Sequence, residues 1–71
     1  MQDIGDPERV ALMGRLIALK VEHRDLDGVI HRIALDAAHD ELQLTRLKRR
    51  KLLLKDQIAW LERQIDPDQL A

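Results

Sequence analysis

Apolar residues return along this chain at alternating steps of four and three, and they do so twice. Leu12, Leu16, Leu19, His23, Leu26, Ile30, Ile33 and Ala37 form the first series; Leu44, Leu47, Lys51, Leu54, Ile58, Leu61 and Ile65 form the second. An average step of 3.5 keeps a stripe on one face of an α-helix and asks for a second helix to cover it. The fold class that follows is all-α, coiled-coil-like, with no strand. The first helix has a start signal at Asp6-Pro7-Glu8, where Asp caps free amides, Pro has no amide to leave unpaired, and Glu meets the positive end of the helix dipole. The second is expected to stop before Pro67, which disfavours helical geometry at Asp66. The spacing predicts helix 1 near 7–34, a connector near 35–39 and helix 2 near 40–65, within one domain with loose termini.

The connector decides between a hairpin and a single rod. It holds neither Gly nor Pro, and the heptad stays in phase through Ala37 and Asp40, so a continuous helix remains open. Asp36 and Asp40 are good capping residues, Asp40 with Gln43 mimics a capping box, and Ala37 with Asp40 is the weakest pair of the seam. These features favour an antiparallel hairpin. A fold-back near residue 37 sets Leu16 against Ile58, Leu19 against Leu54, Leu26 against Leu47 and Ile30 against Leu44. It also sets His23 against Lys51, so the two polar interruptions of the seam share one layer that can recruit Asp27. A lone polar seam residue commonly fixes register; His beside Asp27 or Lys51 would also be a proton-sensitive element.

What the composition lacks narrows function. The chain has 71 residues and no Cys, Ser or Tyr, which removes disulfides, thiolate metal sites and every ordinary hydroxyl or thiol nucleophile except Thr45. A chain of this size buries only about 60% of its unfolded surface, which leaves little room for an enclosed active site. The paired carboxylates Asp25 and Asp27 point in different directions on a helix, and Asp66 and Asp68 fall in the tail. His23, His31 and His39 are eight residues apart, about 12 Å per step along a helix, too far to share one metal ion. No catalytic residue, metal, cofactor or small-molecule substrate is therefore expected, and the chain is not expected to be an enzyme. Its apolar runs are too short to cross a bilayer and its first residues lack the pattern of a signal peptide; a cytoplasmic, membrane-free protein is expected.

Two features point outward from the seam. Ala11, Gly14, Ala18, Val21 and Gly28 form a stripe of small uncharged residues on the back of helix 1, broken by Asp25, and Gly14 and Gly28 each cost a helix about 1 kcal/mol relative to Ala. Helix 2 adds Leu52, Leu53 and Trp60, which two helices cannot all bury. This surplus predicts a homo-oligomer or a helical partner protein, meeting the chain at Gly14, Val21, Gly28, Leu52, Leu53 and Trp60. The other feature is the basic run Arg46, Lys48, Arg49, Arg50 and Lys51 with Lys55. It is the alternative site, for nucleic acid, although long basic stems often serve as a solvated rim over a seam. Asp25 and Asp27 stand at the matching level to pair with it. The charge total is close to neutral, 12 basic against 13 acidic, with residues 1–40 acidic and residues 41–71 basic on balance.

The residues Glu22-His23 with Leu26-Asp27 and Ile30, then Leu47-Lys48 and Lys51-Leu52 through Leu54-Lys55-Asp56 and Ile58, resemble the YdcH family of small bacterial proteins, a domain of unknown function. The likeness spans about residues 16 to 61. It implies a short cytoplasmic protein folded as an α-helical hairpin, and it brings no activity, substrate or catalytic residue with it. The connector departs from the family in lacking the Gly-rich turn that some members carry.

Overall fold

A computed structural model describes residues 6–65. Two helices make up the described residues: α1, Pro7–Leu35, and α2, Glu41–Ile65. They pack against each other as an antiparallel hairpin, and no strand occurs among the described residues. The longest dimension is 54 Å, where a rod of about 60 helical residues would reach roughly 90 Å. The loose termini and the stop at Pro67 lie outside the described residues.

Asp6 starts α1 as read from sequence: its Oδ1 accepts the Glu8 amide at 3.0 Å, and Pro7 takes the first helical position. At the other end the Asp36 amide turns back to the Ile33 carbonyl at 3.0 Å. The chain then reverses on two aspartates. Asp36 Oδ1 accepts the Ala38 amide at 2.9 Å and its carbonyl accepts the His39 amide at 3.1 Å, which is the local side-chain bonding that lets Asp replace Gly in a turn. Asp40 Oδ1 accepts the amides of Leu42 and Gln43 at 2.9 and 3.4 Å and so caps α2. Among the described residues no non-Gly residue has positive φ. Ala37, assigned to the seam by its spacing, is instead exposed in this turn, because the helix ends two residues before it.

Leu19, Leu54 and Leu61 form the buried cluster, with Leu12, Leu16, Leu26 and Ile58 packed against it; Ile30 and Leu44 are buried nearer the turn. All lie on the two heptad seams. Leu54 is 0% exposed, and burying such a side chain contributes about 1.5–3 kcal/mol. At the open end Arg9 Nη1 donates to the Ile65 carbonyl at 2.5 Å and closes the two helices together.

Candidate interaction surface

The polar layer sits in an open groove along one flank of the seam, lined by Lys20, His23, Lys51, Lys55 and Ile58. Its two interruptions are treated differently. Lys51 Nζ donates to Asp27 Oδ1 at 2.5 Å, and that bond and charge hold the Asp27 carboxyl below the usual carboxylate range. His23 Nε2 is buried and has no hydrogen-bond partner. Asp27 thus serves the lysine of the layer and leaves the histidine Nε2 without a bond.

The basic run is divided by the fold. Arg50 pairs with Glu22 at 2.8 Å and Lys51 with Asp27, and Lys20 of α1 reaches Glu62 at 3.2 Å. The acid facing Arg50 is Glu22, while Asp25, placed at that level from sequence, makes no ion pair among the described residues. Asp25 lies further round α1, away from α2, because residues two apart diverge by about 200° on a helix. Arg46, Lys48, Arg49 and Lys55 of the run remain exposed and make no ion pair among the described residues. Within α2 seven basic side chains stand against three acidic ones.

Sequence reasoning passed over His39 except as a metal candidate. In the turn its ring bridges the Asp36 carbonyl from Nδ1 at 2.7 Å and Glu41 Oε2 from Nε2 at 2.8 Å. Both partners are acceptors, so the ring makes both bonds only when it carries both protons; the Asp36 carbonyl first, then Glu41, raise its pKa above the ordinary histidine value. Asp and Glu two and three residues away were the available signal. Among the described residues no three His, Asp or Glu side chains gather as a metal site would need.

The apolar surplus is larger than the small-residue stripe suggested. Gly14 and Val21 are exposed and Gly28 is half-buried on α1; Leu52, Leu53 and Trp60 are exposed on α2. Trp60 is 51% exposed and lies beside Arg15, Asp56 and Gln57 on the flank opposite the polar layer. Val10, Met13, Ile17, Leu35 and Leu42 join this exposed set. No helix of the described residues is long and apolar enough to cross a membrane.

Fold and surface together define a small α-helical hairpin with one shared seam and uncovered outer faces. A family model described as "Protein of unknown function (DUF465)" matches residues 16–62, and the chain belongs to that family, as do the YdcH proteins whose signature it carries. No curated protein and no solved structure matches it.

Proposed function

We propose that this protein acts by helix association, as a small cytoplasmic interaction module that binds a second copy of itself or another helical protein, and not as an enzyme. The observation that carries the reading is the number of large apolar side chains left in solvent: Val10, Ile17 and Val21 on α1, and Leu52, Leu53 and Trp60 on α2. Five buried side chains among the described residues make a thin core, and short chains without disulfide or metal commonly add burial through a partner. Sedimentation equilibrium of the wild type tests it, with Trp60→Ala as the comparison. A concentration-dependent mass above 8.2 kDa, lowered by the substitution, supports association; a monomer whose Trp60 fluorescence stays that of a hydrated indole at every concentration removes its main support for self-association.

A second reading is supported by Arg46, Lys48, Arg49 and Lys55 of the basic run, exposed on α2 and without an ion pair among the described residues. These could contact the phosphates of a nucleic acid. Such binding must weaken steeply with salt, so a mobility-shift titration from low to moderate salt, repeated with Arg46→Glu/Arg49→Glu, tests it.

A further inference from the structure

We propose that the outward face of α1 is where a second copy of this chain docks, antiparallel, to form a two-fold dimer with the two α1 helices in contact; this deepens the association reading by naming its face and partner. On the side of α1 away from α2, residues 10, 14, 17, 21, 24, 28, 31 and 35 repeat the four-three alternation of the inner seam. Val10, Ile17, Val21 and Leu35 on this line are exposed, Ile17 by 62% and Leu35 by 73%. A helix with two heptad faces on opposite sides is built to be packed from both.

The pattern also selects the occupant. Its steps of 4, 3, 4, 3, 4, 3 and 4 read the same from either end, so an identical helix running the opposite way matches it layer by layer, the self-complementarity a two-fold interface requires. Val10 of one copy then meets Leu35 of the other, Ile17 meets Gly28, and Gly14 meets His31, each glycine facing a large side chain. The hairpin has no use for these glycines. Neither has positive φ; a Cβ on Gly14 would meet nothing within 4 Å, and one on Gly28 only the Arg32 guanidinium at 3.7 Å. The central layers pair Val21 with Arg24, whose long stem can cover the valine while its guanidinium reaches outward. Asp25 of the second copy, one turn from its Val21, supplies a carboxylate that has no ion pair within the hairpin.

The absence of cysteine from the sequence permits a direct test. In Val10→Cys/Leu35→Cys the two thiols of one chain lie about 38 Å apart along α1, so any disulfide joins two chains. Mild oxidation of the double variant should give a closed covalent dimer. Each single variant should stay uncrosslinked, because parallel pairing alone brings like positions together. In sedimentation equilibrium, Ile17→Glu and Gly28→Leu should each weaken the dimer at least tenfold while leaving the helical circular dichroism of the hairpin in place. Crosslinking of the single variants, or a wild type that remains monomeric up to millimolar concentration, would overturn the proposal. A dimer insensitive to Ile17→Glu and Gly28→Leu but broken by Leu53→Glu would also overturn it, while leaving the broader association reading standing.

Discussion

α1 and α2 carry the same inner seam and opposite outer faces. Both bury leucines on the four-three spacing, and both interrupt the seam once with a polar residue. On α2 the interruption is Lys51, long enough to leave the seam and reach Asp27; on α1 it is His23, whose ring is too short to do so and keeps a buried nitrogen unbonded. The outer face of α1 is apolar at Val10, Ile17 and Val21, whereas that of α2 mixes leucines with unpaired Arg and Lys. Heptad spacing shared by two helices therefore says how they meet each other and leaves their outer faces free to serve different contacts.

The comparison breaks most sharply at neighbouring leucines of α2. Leu54→Ala should lower unfolding free energy by about 2–5 kcal/mol, as large-to-small changes in a packed core do, while Leu53→Ala in the monomer should stay within about 0.5 kcal/mol, as exposed sites do. Urea denaturation at low protein concentration measures both. Next in size is the contrast within the polar layer. His23→Leu should raise stability by about 1–3 kcal/mol, the usual penalty of an unbonded buried polar group, and should broaden the distribution of oligomers in sedimentation; a variant that is less stable and equally uniform would show that His23 makes a bond that matters.

Smaller effects fall on the turn that separates the helices. Asp40→Ala removes the α2 cap and should cost about 1 kcal/mol in thermal melts. His39 should contribute a pH dependence. Its pKa is raised in the folded state, so its contribution is complete below the ordinary histidine value near 6.5 and disappears as pH rises through the higher folded value. The melting temperature should therefore fall slightly between pH 6 and pH 8, and His39→Gln should flatten that change.

Most of the fold is legible in the residues. The three-four spacing marks both helices, Asp6-Pro7 and Asp40 mark their starts, and pairing about the turn brings Leu19 and Leu54 into one cluster. What the spacing cannot show is which flank a side chain leaves by. Glu22, rather than Asp25, meets Arg50 for that reason. The role of His39 was hidden because its two acceptors come together only when the chain reverses. The small residues Gly14, Val21 and Gly28 were visible as a stripe, but Val10, Ile17 and Leu35 join them as one face only once α2 is known to occupy the other side. The identity of the partner is not encoded in a motif, since apolar faces state shape and charge and carry no chemical label.

The thin core, five buried side chains among the described residues, has a calorimetric corollary. A domain of this length melts with a small enthalpy, so each kcal/mol of added stability moves its midpoint by about 4–8 °C. A partner present at a hundred times its dissociation constant adds about 2.7 kcal/mol. Its arrival should therefore shift the melting temperature by more than about 10 °C, and the thinness of its core makes this hairpin a sensitive thermometer for whatever binds it.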